Sequence, residues 1–177
     1  MTLKNIFVIN GSASSNSSNE RLIANVIGQM RNRFEFTVFD SLKTLPHFDP
    51  QLSSGDAPPA IVDLRKKIED AAGIIICTPE YIFSIPSGLK NAIEWCVSTT
   101  VFTDKPLGII TASASGQKGH EELMMIMRTV GAKFDNETTL LIQGVKGKVS
   151  VEGEITDPGT SSALADFVRG FEKLVGN

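Results

Sequence analysis

Short apolar runs alternate along the chain with stretches in which apolar residues recur every three or four positions. The runs at residues 6–9, 73–77 and 107–111 are typical of strands that are buried on both faces. Residues 34–40 alternate apolar with mostly polar side chains, and residues 138–143 form another largely apolar run. The pattern therefore predicts five strands.

Five helices are predicted between and after these strands, because each intervening stretch carries an apolar stripe with helical spacing. The stripes consist of Leu22, Ile23, Val26, Ile27 and Met30; Ile61, Leu64 and Ile68; Leu89, Ala92, Ile93, Cys96 and Val97; Leu123, Met124, Ile126, Met127 and Val130; and Leu164, Phe167, Val168, Phe171 and Leu174. Neighbouring parallel strands need helical crossovers, so this alternation predicts an α/β fold with a parallel sheet covered on both faces. No linker or repeat interrupts the alternation, and we expect one domain over residues 1–177.

Two segments fit the alternation less well. Residues 41–59 contain four prolines and a glycine, which predicts a long surface loop. Residues 144–159 show neither period and are interpreted as a loop or a small hairpin.

Composition narrows the class of protein. The 177 residues include 17 Lys and Arg against 20 Asp and Glu, a net charge of −3, with both signs scattered along the chain. This balance argues against a nucleic-acid partner or a polybasic membrane surface. Two cysteines cannot form a disulfide framework, and no Cys or His spacing indicates a metal site. Without an apolar leader or a membrane-length run, the sequence predicts a soluble cytoplasmic protein.

The first candidate segment, residues 11–19, follows the first predicted strand. In an open α/β sheet, ligands bind beyond the carboxyl ends of the strands. The nine residues contain five serines, two asparagines and one glycine, and they open a helix. Ser17 and Glu20 could form a capping box, but capping needs only one such hydroxyl. The additional serine hydroxyls favour an anion-binding site. The segment contains neither a Walker A loop nor a GxGxxG fingerprint.

The second segment, residues 78–95, follows the third predicted strand. A proline turn there presents Tyr81, Ile82 and Phe83, where a chain normally becomes polar. We expect Tyr81 to form a wall for a flat ligand ring. Phe83 and Trp95 are expected to pack against the following helix or at a subunit contact.

The third segment, residues 111–120, combines small residues after the fourth predicted strand, which leaves room for a ligand to approach backbone amides. His120 is expected on the surface near a helix start and is a weak candidate for acid–base chemistry.

These segments together resemble the motifs of the NADPH-dependent FMN reductase family. Its first motif, Gly-Ser-x-Arg-x-x-Ser-x-Asn, is matched by Gly11, Ser12, Ser17 and Asn19. Its second is matched by Pro79, Glu80, Tyr81, Ser84, Pro86, Leu89, Lys90, Asn91, Ala92, Ile93, Glu94 and Trp95. A third, small-residue loop is matched loosely by Ser113, Ser115 and Gly116.

The resemblance implies a flavodoxin-like three-layer fold with strand order 2-1-3-4-5, a bound FMN and NADPH or NADH as co-substrate. The residues it places at the cofactor are Ser12, Ser14, Ser17, Ser18, Asn19, Pro79, Glu80, Tyr81, Ile82, Ser113, Ser115 and Gly116. No catalytic side chain is implied, because the cofactor carries the chemistry. We add the hypothesis that backbone amides of residues 115–119 stabilise negative charge on the reduced flavin.

Two residues depart from the family motifs. Ser14 replaces an arginine, so the flavin phosphate loses a charged partner, and hydroxyls and amides must hold it. Ile82 replaces an asparagine, which removes a polar side chain beside the ring.

The function implied is hydride transfer from NAD(P)H to FMN and on to a flavin, quinone, azo or metal-oxyanion acceptor, with ping-pong kinetics. The family also implies a homodimer or homotetramer. The alternative from another class is a non-enzymatic flavin-binding electron carrier. A phosphatase or serine hydrolase is disfavoured, because residues 11–19 lack Cys and Arg and no Gly-x-Ser-x-Gly elbow occurs.

Overall fold

The computed structural model describes residues 3–176 as one five-stranded parallel sheet with the order β2-β1-β3-β4-β5. The strands are β1 (Lys4–Asn10), β2 (Phe34–Phe39), β3 (Gly73–Thr78), β4 (Leu107–Ser113) and β5 (Thr139–Gln143). Each pairs in parallel with its neighbours. The predicted strands and their order are confirmed.

Helices cover both faces of this sheet. They are α1 (Ser18–Met30), α2 (Pro50–Ser53), α3 (Pro59–Asp70), α4 (Ser87–Glu94), α5 (Gln117–Thr129) and α6 (Pro158–Gly176). Successive side chains of a strand point to opposite faces. Ile6 and Val8 of β1 therefore pack in the cluster containing α1 and α6, whereas Phe7 and Ile9 pack in the cluster containing α3, α4 and α5.

The two segments that fitted the alternation poorly contain local structure. The predicted surface loop after β2 includes a 3₁₀ turn (Leu42–Thr44) and the one-turn helix α2, and Leu42 is buried against the core. After β5, a 3₁₀ turn (Val145–Gly147) leads into a small hairpin in which Val149 bridges Ile155. The hairpin interpretation is confirmed.

Trp95 packs inside its own chain. Its side chain is fully buried, its Nε1 donates to the Pro46 carbonyl at 2.9 Å, and Phe48 contacts its ring edge-on. Intrachain packing of Trp95 is thus confirmed, whereas Val97, two residues further on, is 63% exposed. None of the helices in the described part of the chain is both long and apolar enough to span a bilayer.

Candidate cofactor site

A cavity of about 500 Å³ opens at the carboxyl edge of the sheet, beside the ends of β1 and β2. The loop after β1, the loop after β2 and the first turn of α4 form its walls. The lining residues are Asn10, Gly11, Ser12, Ala13, Ser14, Ser15, Glu20, Asp40, Ser41, Leu42, Lys43, Thr44, Leu45, His47, Tyr81, Pro86, Ser87, Gly88 and Asn91. The cavity thus lies where ligands bind in open α/β sheets.

The serine-rich loop is fixed at its base by close packing and short-range hydrogen bonds. Gly11 N donates to the Cys77 carbonyl at 2.8 Å, and a Cβ at Gly11 would lie 2.3 Å from Thr78 Oγ1. Ser12 N donates to Asn10 Oδ1 at 3.0 Å, and Ser14 N donates to Ser12 Oγ at 3.2 Å. The loop therefore holds its hydroxyl groups against the cavity on a rigid base.

The end of this loop serves α1 rather than the cavity. Ser17 Oγ caps the helix by accepting from Glu20 N at 3.2 Å, one half of the predicted capping box. Asn19 is buried, and its Nδ2 donates to the Ala112 carbonyl at 3.2 Å while its Oδ1 accepts from the Cys77 thiol at 3.4 Å. Ser17, Ser18 and Asn19 do not line the cavity, so the structure separates them from Ser12 and Ser14.

The aromatic segment after β3 forms a tight two-residue turn. Tyr81 N donates to the Ser84 carbonyl at 2.9 Å, and Ser84 N donates back to the Tyr81 carbonyl at 3.1 Å. The central residues, Ile82 and Phe83, have φ angles of +50° and +59°. This region is costly for a β-branched side chain and is normally taken by Asn or Gly in such turns. Pro79 leads into this turn from β3 and does not line the cavity.

The turn holds its apolar side chains in solvent. Ile82 is 95% exposed, Phe83 is 74% exposed and Tyr81 is 39% exposed. The exposure of Phe83 contradicts its packing on α4, and the alternative of a subunit contact stays a prediction. Of the three, only Tyr81 reaches the cavity.

Two glutamates fasten this turn to α5. Glu122 Oε2 accepts from Ser84 Oγ at 2.7 Å and from Ile85 N at 2.9 Å. Glu80 accepts from Gly116 N at 3.2 Å and from Gly119 N at 2.8 Å, and Ser113 Oγ donates to its carbonyl at 3.4 Å.

Glu80 therefore reduces the number of backbone amides in residues 115–119 that could stabilise negative charge on a reduced flavin. Its carboxylate occupies the start of α5, where the amides and the helix dipole favour an anion. The amides of Gly116 and Gly119 are already bonded within the protein, which leaves those of Ser115, Gln117 and Lys118 for a ligand.

His120 lies inside the protein, and the expectation of a surface position is wrong. It is 8% exposed, and its Nδ1 lies 2.8 Å from Thr111 Oγ1 on β4. Burial lowers the pKa of His120, with a smaller opposing effect from the charge of Glu121. Removal from water also raises the pKa of the Cys77 thiol, so this residue belongs to the core, as predicted. Over residues 3–176, no group of three or more His, Cys, Asp or Glu side chains converges on a point that could hold a metal ion.

Sequence reasoning missed the wall that follows β2. The sequence indicates candidate segments after the first, third and fourth strands and predicts only a surface loop at residues 41–59. Asp40, Lys43 and His47 nevertheless line the cavity. The predicted strand order could have indicated this wall. Because β2 pairs in parallel with β1, the carboxyl ends of both strands lie at the same edge of the sheet.

The residues at this edge suit a flavin mononucleotide. Ser12, Ser14 and Ser15 bring hydroxyl groups to the cavity, and hydroxyls and loop amides are suitable donors to a phosphate. Tyr81 brings a half-exposed aromatic side chain to the same cavity, which suits contact with a planar ring.

Comparisons with known proteins agree with this chemistry. The sequence profile of the NADPH-dependent FMN reductase family matches residues 4–145. The chain is 30% identical over 148 residues to a quinone reductase of Escherichia coli K12, covering 80% of this chain and 79% of that protein. It is also 30% identical over 175 residues to a 2-hydroxy-1,4-benzoquinone reductase of Burkholderia sp., covering 95% and 93%.

Among solved structures, the flavoenzyme FerB from Paracoccus denitrificans, an NAD(P)H:(acceptor) oxidoreductase, superimposes with a TM-score of 0.86. The identity is 27%, and the alignment covers 98% of each chain. The flavodoxin-like fold is thereby confirmed. The chain belongs to the NADPH-dependent FMN reductase family and is an NAD(P)H-dependent FMN oxidoreductase.

Proposed function

We propose that the protein passes electrons from NAD(P)H through FMN to a flavin, quinone, azo or metal-oxyanion acceptor, in ping-pong fashion. When bound, FMN supplies the redox chemistry by accepting a hydride and delivering two electrons. The observation that carries the proposal is the cavity in which the serine-rich loop and Tyr81 meet. The chain then has three tasks: holding the phosphate, bracing the ring and leaving a ring face open.

We assign the phosphate to the loop after β1. Ser12 and Ser14 face the cavity, and the amides of this loop lead into the start of α1. A helix start carries partial positive charge, which compensates in part for the arginine that Ser14 replaces. The Ser17 hydroxyl is used in capping and neither Ser17 nor Ser18 lines the cavity, so the phosphate is assigned to the hydroxyls and amides of Ser12, Ser14 and Ser15.

We assign the ring to the turn after β3. Pro79 and Glu80 position Tyr81 and Ile82, and Glu80 ties this turn to α5. The free amides of Ser115, Gln117 and Lys118 would then stabilise negative charge that develops on the reduced ring. This role needs no proton donor from the protein.

Flavin titration tests the proposal. Purified protein titrated with FMN should quench flavin fluorescence at a fixed stoichiometry, and NADH or NADPH should bleach the resulting absorbance. A Ser14→Arg variant should bind FMN about tenfold more tightly, because an arginine–phosphate pair adds charge-assisted bonds. Ser54→Arg, at an exposed position outside the cavity, is the matched control.

Two outcomes would overturn the proposal. Absence of FMN binding at micromolar protein would remove the flavin from the site. FMN binding without any steady-state NAD(P)H oxidation would favour the alternative, an electron carrier that needs a separate reductase.

We also propose a homodimer or homotetramer that acts on small-molecule substrates. The exposed side chain of Val97, beyond α4, supports a subunit contact there. Size-exclusion chromatography of Val97→Glu should show a smaller species than the parent protein. An unchanged elution volume would count against a contact at Val97. The cytoplasmic location stays a prediction.

A further inference from the structure

The turn after β3 is held in a backbone conformation that its own residues disfavour. Ile82 and Phe83 have φ angles of +50° and +59°, in the left-handed region. A β-branched side chain makes this region costly, and the 95% exposed side chain of Ile82 buries almost no surface that could compensate. Strained backbone of this kind persists only where the surrounding structure fixes it. Contacts on the two sides of the turn must therefore hold it in place.

Both sides of the turn are bonded to α5. Before the turn, the Glu80 carboxylate accepts from two backbone nitrogens at the start of this helix, at 3.2 Å and 2.8 Å. After the turn, Glu122 Oε2 accepts from Ser84 Oγ at 2.7 Å and from Ile85 N at 2.9 Å. The segment that enters the turn and the segment that leaves it are thus attached to the same helix.

Glu122 reaches the cavity only through this turn. It does not line the cavity, and within residues 3–176 it forms no ion pair. Its partner Ser84 exchanges backbone hydrogen bonds with Tyr81, at 2.9 Å and 3.1 Å, and Tyr81 does line the cavity. A change at Glu122 is therefore transmitted to the cavity through the position of Tyr81.

We propose that Glu122 is a positioning residue for the flavin ring, because its carboxylate holds the strained turn that presents Tyr81. The proposal rests on the proposed function, which assigns the ring to this turn, and it gives Glu122 no contact with the cofactor. Ile82 stands where the family motif has asparagine, a residue that adopts left-handed backbone more readily. This chain should therefore depend on Glu122 more than a chain with asparagine at this position would.

Tyr81 is the only tyrosine in the sequence, so it can report on the turn directly. FMN-free protein labelled with 3-fluorotyrosine should give a single fluorine resonance in a magnetic resonance spectrum. Glu122→Ala should shift or broaden this resonance, because the turn is released to other backbone conformations. The same variant should bind FMN about tenfold more weakly, as expected when hydrogen bonds to a charged group are lost.

A second substitution tests whether Glu122 acts through the strain at Ile82. Asparagine lowers the cost of left-handed backbone, so in Ile82→Asn the turn should keep its conformation without help from Glu122. Adding Glu122→Ala to Ile82→Asn should therefore leave the fluorine resonance in place. It should weaken FMN binding by less than about threefold relative to Ile82→Asn alone, which makes the two substitutions non-additive.

Glu121→Ala is the matched control. This exposed acid lies in the same helix, accepts from the side chains of Gln117 and Lys118, and should change neither the resonance nor FMN affinity. Glu122→Gln keeps an acceptor oxygen of the same reach and should retain most of the FMN affinity. Ser84→Ala removes one of the two donors to Glu122 and should produce a smaller change in the same direction, which tests the contact with Glu122 itself unaltered.

Three results would overturn the proposal: an unchanged fluorine resonance in Glu122→Ala, an equal loss of FMN affinity with and without Ile82→Asn, or an equal effect of Glu121→Ala. The proposed function fails separately, if the unsubstituted protein binds no FMN or oxidises no NAD(P)H. The fluorine resonance of the FMN-free protein distinguishes the two failures, because it measures the turn without the cofactor.

Discussion

Glu80, which lies between β3 and the turn that begins at Tyr81, accepts a 2.8 Å hydrogen bond from the backbone nitrogen of Gly119 in α5. The same carboxylate accepts from Gly116 N at 3.2 Å. Gly116 has a φ of +85° and offers no side-chain cap, so an acid from another segment satisfies the start of the helix. This contact joins the two loops that the sequence predicts around the flavin ring.

Replacing Glu80 should loosen this connection. In Glu80→Ala, two backbone amides lose a charged acceptor, and we expect a loss of about 1–3 kcal/mol in the free energy of unfolding. Urea denaturation followed by circular dichroism measures it. Glu121→Gln is the control. This exposed acid lies in α5 but accepts hydrogen bonds from the side chains of Gln117 and Lys118, not from backbone amides. Equal effects of the two substitutions would contradict the capping role.

Ile82 should be a destabilising residue in its present conformation. Its φ of +50° is unfavourable for a β-branched side chain. Because the side chain is 95% exposed, it buries little apolar surface that could offset this cost. Ile82→Asn should therefore raise the free energy of unfolding by about 1 kcal/mol. The urea midpoint provides the measurement.

Val151→Asn is the control for this substitution. Val151 is also β-branched and 76% exposed, but it lies outside the set of residues with positive φ. Its change should stay within about 0.5 kcal/mol. An Ile82→Asn protein no more stable than the parent would show that the turn is not strained.

Two glycines should respond in opposite directions to alanine. A Cβ at Gly11 would lie 2.5 Å from Thr78 Cβ, so Gly11→Ala should destabilise the protein by about 1–3 kcal/mol and disturb the serine-rich loop. A Cβ at Gly28, inside α1, meets nothing within 4 Å. Gly28→Ala should stabilise by up to about 1 kcal/mol through helix propensity. Thermal unfolding compares the pair, and FMN affinity should fall only in Gly11→Ala.

His120 should make stability depend on pH below neutrality. Burial lowers its pKa, so the unfolded chain takes up a proton at a higher pH than the folded protein does. Its contribution is present above the unfolded pKa of about 6.5 and is lost as the pH falls below that value.

Unfolding at pH 7.5 and 5.5 checks this dependence. The parent protein should lose stability over the interval, and His120→Gln should lose less. If His120→Gln loses as much stability between pH 7.5 and 5.5 as the parent protein does, other groups cause the pH dependence.

Local patterns were sufficient to predict the sheet and its helices. The continuous apolar run of β3 requires burial on both faces, and each residue of Gly73–Thr78 is buried. The pattern predicted burial less well at the edge strand β2. Val38 is 45% exposed, although it points to the same face of the strand as the buried Phe34. An edge strand has a neighbour on one side alone, so alternation there predicts the strand but not the burial of each residue.

Long-range contacts decided the site. The family resemblance assigns Asn19 to the cofactor, and only the structure shows that its amide bonds the Ala112 carbonyl of β4. The sequence placed His120 on the surface, because proximity to a helix start does not reveal which face of α5 packs on Thr111. The expectation for His120 was wrong because another element, β4, fixes the direction of its side chain.

The order of apolar and polar residues by itself determined the strands, the helices, the parallel sheet and the edge at which a ligand should bind, because these follow from local periodicity and from the geometry of crossovers. The tertiary structure alone decided that Asp40 faces the serine-rich loop and that Glu80 caps α5. The pairing of β2 with β1 brings the first pair together, and the pairing of β3 with β4 brings together the second, whose members are more than 30 residues apart in the chain.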